Sequence, residues 1–158
     1  MNDQRHSTKA PPSPAEHPPA GHGPRFGTSV RWGLLVGLSN AAAPLALWWL
    51  DATTVHALAI TLIASVYIGF AVADGRPKVI AVESMVVVGF VFASAAAVTL
   101  TPWLVVALYA AHGAKDLWQH RTNFVRGTRW WPPFCFAVDM AVAGIVAAQL
   151  LLGANFHS

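Results

Sequence analysis

The sequence predicts an all-α integral membrane protein: a bundle of five transmembrane helices, N-terminus cytoplasmic, C-terminus outside. Of the 158 residues, 55% are hydrophobic and 11% charged, against about 25% charged in ordinary soluble domains. The apolar residues come in long blocks, not in amphipathic periods, so the solvent they suit is a bilayer. The ten Lys and Arg sit mainly at the ends of those blocks and form no basic face, which excludes a soluble nucleic-acid binder. A single cysteine, Cys135, rules out an internal disulfide framework.

Residues 1–29 are rich in Pro, Ser, His, Gly and charge and hold almost no large apolar side chains. Such a composition cannot bury a core and reads as a disordered cytoplasmic tail. No apolar region follows the early charges, so it is not read as a cleavable signal. His6, His17 and His22 could form a loose metal cluster, but read more simply as histidines in a flexible tail. The five-helix domain is expected over 30–153, with 154–158 as a short tail.

Span one is expected from Val30 to Leu50. Its Gly33, Gly37 and Ala41 form a small-residue stripe that lets helix backbones approach closely and offers a seam for a homo-oligomer. Asn40 falls near mid-bilayer, and Pro44 frees the carbonyl four residues before it. Both polar groups must face protein or a wet cavity. Trp48, Trp49 and Asp51 mark the far interface. Span two covers Thr53 to Ala73 and ends in the Asp74-Gly-Arg-Pro-Lys78 turn. Span three runs from Val79 to Leu100 and carries Glu83. Pro102 suits the start of span four, Trp103 to His120. Arg121 to Pro133 is a basic and aromatic connection, an interfacial anchor or a cradle for an anionic headgroup. Span five, Phe134 to Gly153, carries Asp139.

With five spans, every Lys and Arg falls on one side, and the positive-inside rule makes that side the cytoplasm. A multi-pass protein of the cell (plasma) membrane is expected. This topology brings polar groups to one depth. His112, Asp116 and His120 occur at i, i+4 and i+8, a stripe roughly 12 Å long in a helix. Glu83 and Asp139 lie about 7–8 Å inside the same face at ~1.5 Å per residue, with Asp74 closing span two beside them. Buried carboxylates are costly in a membrane and need partners. His112, Asp116, His120, Glu83 and Asp139 are therefore candidate ligands for a divalent transition metal such as zinc, iron or manganese, or general acid–base groups. Cys135 stands one turn before Asp139 and could point into the same space. The chemistry best suited to such a site is metal-assisted, on a lipid-like or apolar substrate. Two other readings stay open: a non-catalytic membrane subunit whose polar cluster fixes helix packing, and a proton-linked small carrier.

The run Tyr67-Ile-Gly-Phe-Ala-Val-Ala-Asp74-Gly-Arg76, then Glu83, then Tyr109-Ala-Ala-His112-Gly-x-x-Asp116-x-x-x-His120, then Trp131-Pro-Pro-Phe-Cys135-x-x-x-Asp139 resembles a family of small bacterial and fungal multi-pass membrane proteins of unassigned function. The resemblance covers about residues 30–153. It implies paired histidines near the end of the fourth span, where this chain has Gln119-His120. It implies an arrangement of residues and no particular activity.

Overall fold

Residues 26–156 are described by the structure, a computed structural model. Every regular element among them is helical: α1 Phe26–Ala41, α2 Ala43–Ala46, α3 Ala52–Asp74, α4 Pro77–Thr99, α5 Trp103–Thr122 and α6 Trp131–Leu151. The proposed tail cluster of His6, His17 and His22 lies outside the described residues, as does most of the 1–29 segment. Its last residues, Phe26 to Ser29, are already helical.

Pro44 decides the shape of the first span. Proline lacks an N–H, and its ring crowds the carbonyl four residues back, here that of Asn40. α1 stops at Ala41, and Pro44 falls in the first turn of α2. The expected unbroken span from Val30 to Leu50 is thus corrected to a 16-residue helix followed by a separate four-residue one. The next helix starts under a cap, with the Asp51 carboxylate accepting from the Thr54 N–H at 2.9 Å. It ends at Gly75, whose φ of 76° lets its N–H turn back to Ala71 and Val72. Pro77 then opens α4. α6 begins at Trp131, earlier than the expected Phe134, because Pro132 and Pro133 sit in its first turn. First-turn N–H groups have no acceptor within the helix, so proline loses no hydrogen bond there.

Three helices, α3, α4 and α6, are long and apolar enough to cross a membrane, not five. At 16 residues α1 is short. α5 has 20 residues, but His112, Lys115, Asp116, Gln119 and His120 dilute its apolar character.

Gly33 meets Phe134 and Ala137, and Gly37 meets Val138 and Ala141, so α1 runs parallel to α6. A Cβ on Gly37 would lie 2.9 Å from the Val138 carbonyl oxygen, a contact only glycine avoids. The stripe of Gly33, Gly37 and Ala41, offered by the sequence as a seam between copies, is buried within the chain. Ile60, Val105, Tyr109, Val142 and Val146 form the apolar core. Glu83, His112, Asp116 and Asp139 are as deeply buried, at 0% exposure, while Phe92, Met85 and Leu62 are 73%, 72% and 68% exposed. Acids inside and large apolar side chains outside is a distribution that lipid favours and water does not.

Candidate metal centre

α5 and α6 approach closely at Gly113, where an added Cβ would come within 2.6 Å of Met140 Cε. That approach places one helix's polar face against the other's. His112 Nδ1 lies 2.8 Å from Asp139 Oδ2 across the interface and 3.5 Å from Asp116 Oδ2 one turn along α5. Cys135 completes the group: His112, Asp116, Cys135 and Asp139 each offer a ligand atom, all within 4.8 Å of one another and all buried. A tetrahedral ion with bonds of ~2.0–2.3 Å sets its ligands about 3.5 Å apart. These donors need only a modest inward adjustment to reach one.

The surroundings hold the set in place. The Tyr67 hydroxyl donates to Asp116 Oδ1 at 2.6 Å, leaving the other carboxylate oxygen toward the cluster. Phe90 packs edge-on to the His112 ring at 5.3 Å, and Tyr67 lies at 5.9 Å. Asp116 Oδ2, Asp139 Oδ1 and His112 Nε2 are buried without hydrogen-bond partners. Unpaired polar atoms in an apolar interior are costly. Two carboxylates and a thiol face a single imidazole, so the site is rich in electron-pair donors and poor in positive charge.

Two of the proposed ligands lie elsewhere. A helix turns about 100° per residue, so from His112 the residue at i+8 is displaced by about 80° and that at i+7 by only about 20°. His120 accordingly turns out of the bundle, with its ring 5.6 Å from that of Phe26. Gln119 takes the inward position. Glu83 does face α5, but a neighbouring set holds it. Lys115 Nζ lies 2.8 Å from Glu83 Oε2, and the Gln119 amide donates to Oε1. The same ammonium sits 3.6 Å above the centre of the Tyr67 ring. Tyr67 thus links the two groups through its face and its hydroxyl.

Asp74 forms no part of either group. It accepts from Arg76 Nη2 at 2.8 Å and from the Arg126 N–H at 2.8 Å, tying the α3–α4 turn to the following connection. Asn40 is satisfied by protein, accepting from the Tyr109 hydroxyl at 3.1 Å. In the connection, Trp130 and Trp131 stack edge to face at 5.2 Å, and Trp131 also packs on Phe70 and Phe134.

Tyr67 and Gln119 are the contributors that the sequence did not assign. Gln119 was within reach of helix geometry through its i+7 spacing. Tyr67 carries no local signal, since its partner Asp116 lies 49 positions away. No family model, curated protein or solved structure matches the chain.

Proposed function

We propose that the chain is a multi-pass membrane protein that holds a divalent transition metal with His112, Asp116, Cys135 and Asp139. The carrying observation is the convergence of these four donors, two from each of two helices, within 4.8 Å in a buried space. A divalent cation would offset the acid-rich character of the group and engage the unpaired oxygens. Imidazole, carboxylate and thiolate together suit zinc or iron. The two metals imply different roles. Zinc taking all four donors is closed and structural, whereas iron with higher coordination keeps positions open for chemistry on a lipid-like substrate.

Five crossings are part of this proposal: three by helices apolar enough alone, and two, by α1–α2 and α5, supported by packing. α5 starts only three residues after α4 ends and extends for 20 residues, about 30 Å at ~1.5 Å per residue. That length carries the chain back across before α6 begins. The charge distribution then favours a cytoplasmic N-terminus, and a reporter fused after Ser158 is expected to read as outside. A cytoplasmic reading would remove the five-crossing arrangement.

Elemental analysis of protein purified in mild detergent tests the metal directly. About one zinc or iron per chain is expected, lost in Asp116→Asn and Cys135→Ser while both stay monodisperse. The competing interpretation is a metal-free packing network, favoured by the 2.8 Å His112–Asp139 contact, which also suits a plain hydrogen bond. Metal-free wild-type protein whose melting is unchanged by chelators would establish that interpretation instead.

A further inference from the structure

A groove of about 300 Å³ lies between α1, α3 and α6, with Val36, Asn40, Leu62, Val66, Phe134 and Cys135 in its wall. Cys135 therefore belongs both to the groove and to the four-donor cluster. The lining is otherwise almost wholly apolar. Leu62 and Val36 are 68% and 43% exposed, so the mouth opens among side chains that face lipid. Trp131 also lines it, and its indole N–H is buried without a hydrogen-bond partner. Tryptophans at the ends of membrane helices sit at headgroup level, where the ester groups of lipids lie. Trp131 is the first residue of α6, and Cys135 lies one turn deeper, about 6 Å at ~1.5 Å per residue.

We propose that an acyl chain of a membrane lipid enters this groove sideways from the bilayer, its ester carbonyl near Trp131 and its upper methylenes against Cys135. The substrate class of the metal centre is then an acyl lipid, which reaches it without passing through water. This inference rests on the metal reading for its functional meaning, but the groove and its occupant can be tested separately. Size supports the assignment, since small-molecule pockets begin at about 300 Å³. The continuity of the groove with the cluster through one shared residue supports it further.

Cys135 is the only cysteine, so thiol labelling of the full chain reports on this place alone. In phosphatidylcholine nanodiscs stripped with a chelator, N-dodecylmaleimide should modify Cys135, and a charged methanethiosulfonate should react at least tenfold more slowly. Leu62→Trp and Val66→Trp, both at partly exposed wall positions, should slow dodecylmaleimide at least tenfold while keeping wild-type metal content. A phosphatidylcholine bearing a diazirine in its upper acyl chain should crosslink to wild-type α3 and α6, and less to either variant. Equal rates for the charged and acyl reagents, or labelling and crosslinking undiminished in both variants, would overturn the groove. Equal dodecylmaleimide rates with and without added zinc or iron would overturn the metal reading and leave acyl-chain entry standing.

Discussion

Two polar groups sit side by side on the inner face of α5, and they resolve burial in opposite ways. Around Glu83, the acid meets its own cation: Lys115 lies at 2.8 Å and the Gln119 amide donates to the remaining oxygen. One turn away, His112 and Asp116 face Cys135 and Asp139, and among the described residues no lysine or arginine pairs with either carboxylate. Both groups are deeply buried and both use residues of the same helix. The first balances its charge within the protein, leaving only neutral hydrogen-bonding capacity, such as Gln119 Oε1, buried without a partner. The second has more donors than its single imidazole can satisfy, which is the condition under which a bound cation stabilises a membrane protein. Burial of acids alone therefore does not identify a site. What distinguishes one is whether the protein supplies the compensating charge itself.

The sharpest way to break this comparison is to open the closed group. Lys115→Met strands Glu83 and should cost about 3–5 kcal/mol, read as a large drop in detergent melting with metal content per folded chain unchanged. Pairing it with Glu83→Gln should recover most of that loss, because no charge is left uncompensated. Recovery failing in the double variant would mean that Glu83 serves the neighbouring group too.

A smaller effect is expected where the two groups meet. Tyr67→Phe keeps the ring beneath Lys115 but removes the hydroxyl that orients Asp116. Loss of an outer-shell partner typically weakens metal binding ~10–100-fold, measurable by chelator competition. Unchanged affinity would show that Asp116 is held by other contacts. Smaller again is Gly113→Ala, which presses on the mobile end of Met140. A destabilisation of about 1 kcal/mol is expected from overpacking, relieved in Gly113→Ala with Met140→Ala. The least effect belongs to His120→Ala. An exposed position away from both groups should change stability by less than about 0.5 kcal/mol and leave metal content as in wild type. Metal loss in that variant would return His120 to the site.

Much of the architecture was legible in the chain. Long apolar blocks separated by Asp-Gly-Arg-Pro, Thr-Pro and Trp-Trp-Pro-Pro punctuation specify where α3, α4 and α6 lie, because backbone hydrogen bonding in lipid leaves a helix as the only open choice for an apolar segment. Pro44 frees a carbonyl, yet whether it bends or ends a helix depends on what covers that carbonyl, and here α1 ends where an unbroken span was expected. His112, Asp116 and Asp139 stood out in the chain as candidates, since ionisable groups in apolar blocks must find partners, and the fold brings them together with Cys135.

Which partner each one finds was decided by tertiary packing. A sequence gives the angle of a side chain around its own helix, and on that basis Gln119 rather than His120 turns inward. It does not give the rotation of one helix against another, which depends on how Gly33, Gly37 and Gly113 let backbones close. The setting of α5 on α6 brings Cys135 and Asp139 to His112 and Asp116, and that of α4 on α5 brings Glu83 to Lys115. The packing of α3 on α5 directs Tyr67 to a carboxylate 49 residues away. Local chemistry chose the residues able to bind a cation, and the close approach of α5 to α6 brought four of them together.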